Sequence, residues 1–400
     1  MDVFTIKAKA EAIREETAAL RHHLHAHPEL SWQEAETSKL IESRLCELGL
    51  TNVRRGYGGT ESGVTADLAG NLAGPCVALR ADIDALPIEE KNDAAYRSTA
   101  GGVMHACGHD GHISILLGAA KLLSSFKDEL PGRVRFIFQP SEERGPNSGA
   151  HVMISEGVLD GVEAIAGLHL WSFVRTGLVQ WRAGPVMASA DNWLVTFTGK
   201  GGHGAMPHAA IDPTIAAANF IGSLQTITSR ELNPIDTAVV SVGTLTSGSA
   251  FNIIPDSAST TGSFRSFNPE VRGAMEGRIR RIADGIASAF RCNAETVVEY
   301  MCPSVVNHRN MTEILREAAV EVVGPENAEE SPLLMVSEDF SLYLERVPGT
   351  FFFVGAGSEE KGTDFPHHSP RFDIDDDALP IGVSLMTAFA ISAMEKLRSK

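Results

Sequence analysis

Short apolar runs of strand length recur along this chain, and each stops at a small group of Cys, His, Asp or Glu. Val77–Ala81 ends in Asp82-Ile-Asp84-Ala-Leu-Pro87, and Val134–Phe138 is followed by Gln139-Pro-Ser-Glu142-Glu143. Ala164–Leu168 delivers His169-Leu-Trp. Between the first two strands, Met104-His-Ala-Cys107-Gly-His109-Asp-Gly-His112 runs into a helical stretch, Asp110–Phe126. Near the far end stands His367-His368-Ser-Pro-Arg-Phe-Asp373. Strands alternating with helices predict an α/β layer with a mostly parallel sheet. Open sheets of that kind hold their sites outside the carboxyl ends of the strands.

Imidazole and thiolate suit borderline divalent metals, and carboxylates complete the shell. One histidine after a strand is ordinarily a packed or solvated residue. The coincidence at several strand ends points instead to a metal site. In Cys107-Gly-His109 the glycine lets the backbone fold both donors onto one centre. Glu142-Glu143 fits a division of labour, one carboxylate binding metal and the other facing water.

Four hundred residues exceed what one core usually organises. The segment up to His27 has helical periodicity and stops at Pro28. Between about Met187 and Tyr300 the pattern changes to strand (Trp193–Thr198), helix (Pro213–Thr228) and strands near Ala238–Val242 and Ala258–Arg265. A helix (Pro269–Phe290) and a strand (Thr296–Tyr300) follow. This is the order of a ferredoxin-like split β-α-β sandwich. The expected fold is therefore α/β with two domains: a discontinuous mixed-sheet catalytic domain (1–186 and 301–400) and an inserted α+β lid (187–300). Thr350–Val354 reads as a late strand and Leu379–Leu397 as a closing helix.

The net charge of −17 argues against a nucleic-acid binder, whose footprint would be a basic stripe. The five cysteines follow no framework spacing, which fits a reducing compartment. The apolar runs Ile113–Ala120 and Leu385–Met394 read as too short or too interrupted to span a membrane. Met1-Asp-Val-Phe-Thr-Ile-Lys lacks the apolar core of a signal peptide. The expectation is a cytoplasmic protein with no membrane or nucleic-acid partner.

The insert has its own polar set. Gly199-Lys-Gly-Gly-His203 is a glycine-rich turn able to bring an imidazole close to a ligand. Asn252 and Arg265 offer an amide and a guanidinium, and the arginine fork suits a carboxylate.

Together, Arg80-Ala-Asp82-Ile-Asp84-Ala-Leu-Pro, Met104-His-Ala-Cys107-Gly-His109-Asp-Gly-His, Gln139-Pro-Ser-Glu142-Glu143 and Gly167-Leu-His169-Leu-Trp resemble the hippurate hydrolase family. This N-acyl-amino-acid amidohydrolase branch of the aminoacylase/carboxypeptidase superfamily includes the plant indole-acetyl-amino-acid hydrolases. The similarity runs from Arg21-His-His-Leu-His-Ala-His-Pro-Glu-Leu to Leu379-Pro-Ile-Gly-Val-Ser-Leu. It implies Cys107, His109, Glu143, His169 and His368 as ligands of two divalent cations, Mn²⁺ or Zn²⁺, with Co²⁺ and Ni²⁺ also compatible. Glu142 takes the general-base position and Asp84 the one that orients a metal-binding histidine. His203 would stabilise the oxyanion, and Asn252 and Arg265 would hold substrate. Asp82 stands where other branches carry a metal-binding histidine. The histidines of Arg21–His27 resemble a packing motif of the first helix, and His105 and His112 flank the metal motif as supporting residues.

The implied activity is hydrolysis of an N-acyl amino acid to a carboxylate and a free amino acid, in a homodimer or homotetramer formed through the lid. The alternatives are a dipeptidase or carboxypeptidase, or a retired metal-dependent binding protein. Retention of Glu142 argues against retirement. A nucleophilic Cys107 is disfavoured because no oxyanion-hole motif accompanies it and because metal-type donors surround it.

Overall fold

The chain opens with α1 (Val3–Ala12), capped by Asp2, and continues into the amphipathic α2 (Arg14–Ala26) and α3 (Ala35–Glu47). The single opening helix expected from the sequence is broken at Ile13, whose φ of −104° and ψ of 9° separate α1 from α2. Next come β1 (Thr51–Arg55), β2 (Val64–Ala69), β3 (Leu72–Asp82), α4 (His109–Ser125), β4 (Pro131–Gln139) and β5 (Ala164–Arg175). The computed structural model describes residues 2–399, which divide into two units.

The larger unit comprises the chain up to Gly184, Val306–Pro332 and the chain from Asp339 onward. Its eight-stranded sheet has the order β1-β2-β4-β3-β5, then strands Gly349–Gly357, Val179–Trp181 and Ala328–Glu330. β3 lies parallel to β4 and β5, and Gly349–Gly357 lies parallel to β5. The β1–β2 and β2–β4 pairs are antiparallel, so the sheet is mixed. From Pro75 to Asp82 every residue of β3 is buried, as expected of a parallel strand covered on both faces. Register aligns the ends that matter: Asp82 pairs with Gln139 on β4, and Arg80 pairs with Gly167, two residues before His169 on β5.

α4 packs against the closing helix Leu379–Arg398. Their close approach uses small residues, since a Cβ on Gly382 would come within 2.5 Å of Ile115 and one on Gly118 within 2.7 Å of Val383. The segment Asp376–Arg398 is long and apolar enough to cross a membrane, which corrects the expectation drawn from shorter runs. Of its most apolar window, 83% is buried within the protein, so it is accounted for as a core helix.

The smaller unit is Pro185–Val305 with Leu333–Glu338. Its antiparallel sheet has the order Ala238–Ser247, Ser257–Ser266, Ala190–Thr198, Asn293–Cys302, which is the ferredoxin-like strand order. Helices Pro213–Leu224 and Pro269–Phe290 pack on each other and on the sheet, and Asp212 and Asn268 cap them ahead of a proline. In its core the Phe220 ring lies 5.8 Å from that of Trp193 and 5.6 Å from that of Phe197. The return segment Leu333–Glu338, expected with the larger domain, belongs here. Its Leu334 exchanges backbone hydrogen bonds with Val186 and Ala188, and Arg265 Nη1 donates to Met335 O at 3.0 Å.

Candidate metal centre

The donors are brought together by turns that only unusual backbone permits. Gly108, at φ 92°, is the residue before α4, so Cys107 and His109 leave it toward one point. Ser141 and His368 are non-glycine residues with positive φ, at 54° and 63°. Such strain costs of order 1–3 kcal/mol per residue and persists only where surroundings over-determine it. Here they do. The His368 amide donates to Ala106 O at 2.8 Å. The amides of Glu142 and Glu143, just after Ser141, donate to the two oxygens of Asp84 at 3.0 and 3.2 Å. Ser31 Oγ donates to Asp84 Oδ2 at 2.6 Å.

Hydrogen bonds also aim the imidazoles. His109 Nδ1 donates to the backbone oxygen of Asp84 at 2.8 Å, with the Asp84 carboxylate 3.4 Å away. His109 Nε2 is buried without a hydrogen-bond partner. His169 Nδ1 donates to Leu170 O at 2.8 Å, which turns Nε2 toward Cys107 Sγ at 3.5 Å. His368 Nε2 faces Glu143 Oε1 at 3.1 Å.

Two donor trios result, Cys107/His109/His169 and Cys107/Glu143/His368, each with its ligand atoms within 4.8 Å of one another. A third group joins His109 to Glu142 and Glu143. The trios share Cys107, so a thiolate there would serve two cations. Soft and borderline donors, two separable trios and an orphaned buried nitrogen fit a pair of divalent transition metals. None of His22, His23, His25 and His27 belongs to such a group among the described residues. Of these, His25 is instead held by Asp110 and Glu90.

The electrostatics favour a cation. Burial works against protonating His109, but Asp82, Asp84 and Glu143 outweigh it and push its pKa up to about 10. His169 is held well below the ordinary range by burial and by the neighbouring His112 and His367. His367 itself is pushed down to about 3, chiefly by burial. Its Nε2 accepts from the Ser172 amide at 3.3 Å, and its Nδ1 lies 3.9 Å from Cys107 Sγ.

Beneath the donors lies a buried polar group that sequence reasoning passed over. Arg80 Nε donates to Gln139 Oε1 at 2.9 Å and Arg80 Nη2 to Asp339 Oδ1 at 2.7 Å. Gln139 Nε2 donates to Asp339 Oδ2 at 2.6 Å, and a carboxylate oxygen of Asp339 lies within 4.8 Å of one from Glu142. The adjacent acids Glu338-Asp339 were the available signal, of the same kind as Glu142-Glu143. Within the smaller unit, His203 pairs with Ile253, and the Gly204 amide donates to Asn252 O at 2.8 Å. His203 and Asn252 are exposed there.

The model of peptidase family M20/M25/M40 matches residues 78–392. The chain belongs to this family. It is similar to the amidohydrolase YhaA of Bacillus subtilis, at 41% identity over 97% of each chain. N-acetyl-L-cysteine deacetylase of the same organism is 40% identical, over 94% of this chain and 89% of its own. Among solved structures, the YxeP protein of Bacillus subtilis, described as a dinuclear metal-binding peptidase of the M20 family, has a TM-score of 0.84. It is 35% identical and covers 96% of this chain and 99% of its own. Membership of this family makes the protein a hydrolase of amide bonds.

Proposed function

We propose that this protein hydrolyses N-acyl amino acids, of the hippurate or N-acetyl type, with two divalent cations held by Cys107, His109, Glu143, His169 and His368. The observation that carries the proposal is the pair of donor trios sharing Cys107, with Glu142 beside Glu143 and not needed to complete either trio. Bound there, the cations supply Lewis acidity to the amide carbonyl and to water. Glu142 takes a proton from the attacking water and returns it to the leaving amine. Asp84 fixes both glutamates through their amides and His109 through its backbone oxygen. His203 is proposed as the oxyanion donor, and Asn252 and Arg265 as holders of the substrate carboxylate. Mn²⁺ or Zn²⁺ is the proposed metal, in a cytoplasmic homodimer or homotetramer.

The test is a panel of N-acetyl and N-benzoyl amino acids, dipeptides and the matching α-carboxamides, assayed after chelation and after adding back Mn²⁺, Zn²⁺, Co²⁺ or Ni²⁺. Activity on the acids, abolished by chelation and restored by metal, supports the reading. Turnover confined to dipeptides would replace it with a peptidase. Full activity in exhaustively demetallated protein would sink it.

A further inference from the structure

We infer that a buried hydrogen-bonded relay running Arg80–Asp82–His112–Leu170 positions His169, and that Asp82 and His112 act as positioning residues for one of the two cations without binding either. The inference rests on the two-metal reading above.

Its links are all present. Arg80 Nη1 donates to Asp82 Oδ2 at 2.6 Å. His112 Nδ1 lies 2.6 Å from Asp82 Oδ1, and His112 Nε2 accepts from the Leu170 amide at 2.9 Å. A ring nitrogen that accepts an N–H carries no proton, so the proton of His112 sits on Nδ1 and points at Asp82. Leu170 then turns its carbonyl to His169 Nδ1 at 2.8 Å. Each group has one orientation compatible with its neighbours, and the last link leaves His169 Nε2 facing Cys107.

Asp82, His109 and His112 also lie close enough together to be taken for a metal trio. The hydrogen bonds argue otherwise, because both oxygens of Asp82 and both nitrogens of His112 are engaged. Asp82 Oδ1 remains 3.7 Å from His109 Nε2, so it adds negative charge beside that ligand without displacing it. The anchor is rigid: Arg80 is 1% exposed and is also held by Gln139 and Asp339. A carboxylate that fixes a metal-binding histidine is a familiar outer-shell device. Here it acts at one remove, through a second histidine and the main chain. Of the two trios, only Cys107/His109/His169 contains His169, so the relay acts directly on one cation and reaches the other only through the shared Cys107.

The experiment is a titration of metal-free protein with Co²⁺ and with Mn²⁺, followed by calorimetry and by the visible absorption of bound Co²⁺, on wild type, His112→Phe, His112→Gln and Asp82→Asn. Wild type takes up two equivalents. His112→Phe weakens one equivalent about 10–100-fold, the usual scale for losing an outer-shell partner. The other, which keeps Glu143 and His368 and shares only Cys107 with the first, weakens by a clearly smaller factor. His112→Gln, whose carbonyl can still accept from Leu170, recovers part of the loss. Asp82→Asn, nearly isosteric, repeats the selective effect if the phenylalanine variant fails to fold. Two equivalents bound unchanged in both His112→Phe and Asp82→Asn would overturn the relay. So would a parallel loss of both equivalents that tracks the melting temperature of the metal-free protein, because that is what mere structural damage does. A wild type that takes up no metal would instead remove the two-metal reading on which the relay depends.

Discussion

Glu142 and Glu143 are adjacent in sequence yet differ in what surrounds them. Glu143 Oε1 faces His368 across 3.1 Å, whereas Glu142 lies near the carboxylate of Asp339. A single substitution at each tests the proposed roles, proton carrier for Glu142 and ligand for Glu143. Glu142→Gln is expected to keep near-normal metal content and lose at least about a hundredfold in kcat. Glu143→Gln is expected to lose metal. Metal analysis beside steady-state kinetics checks both, and reversed metal contents would exchange the roles. The residues that the structure gathers into the donor trios were conspicuous as Cys, His and Glu at strand ends. Their aim was not. Ser31, Arg80 and Asp339 reach the centre from 53 to 259 residues away from their partners, and no local period announces such bonds.

At the scale of elements, α2 is tied to α4 through buried ions. Arg21 Nε donates to Asp110 Oδ2 at 2.8 Å and also pairs with Asp373. His25 Nδ1 lies 2.8 Å from Asp110 Oδ2, and its Nε2 lies 3.3 Å from Glu90 Oε1. The histidine-rich stretch was legible as packing, but beside the apolar contact of Leu24 its packing is ionic, through Arg21 and His25, which helical periodicity does not reveal. Burial opposes a charge on His25; Asp110 and Glu90 overcome it and raise its pKa to about 9. A raised histidine stabilises the fold fully below its unfolded value of about 6.5 and loses that contribution as pH rises through about 9. The shift corresponds to at most roughly 3 kcal/mol. Thermal melts from pH 6 to 10 should therefore show wild type losing stability relative to His25→Gln across that window. Parallel curves for the two proteins would remove His25 from the account. Strands were read more securely than helix ends, because β3, β4 and β5 are mostly apolar runs of strand length while α1 and α2 follow one another without a break signal in the sequence.

For the whole molecule, the two units each carry their own core, and the sequence showed the change of pattern near Met187 but not the return of Leu333–Glu338. Six residues held by bonds to Val186, Ala188 and Arg265 have no signature of their own. The smaller unit leaves Phe251 fully exposed, with Ile253 and Met206 half-exposed on the same turns as His203 and Asn252. Clustered apolar side chains of this kind mark interaction surfaces more often than free solvent faces. The sheet also ends on Ala238–Ser247, a strand paired on one side only among the described residues. Both features support the proposed association of subunits through this unit, by strand addition or apolar contact. Light scattering should give twice or four times the 42.8 kDa chain mass. A charge on the patch, Phe251→Asp, should shift that mass toward the monomer while the unit stays folded by circular dichroism. Mixing provides the functional half of the test. Glu142→Gln and His203→Ala subunits are each expected to be inactive, for want of the proposed base and the proposed oxyanion donor. If His203 serves the partner's centre, a heterodimer keeps one intact combination and regains up to about half of wild-type activity per dimer, a fraction fixed by symmetry. Verified heterodimers without activity would confine His203 to its own subunit, and a monomeric wild type would end the subunit proposal while leaving the hydrolase untouched.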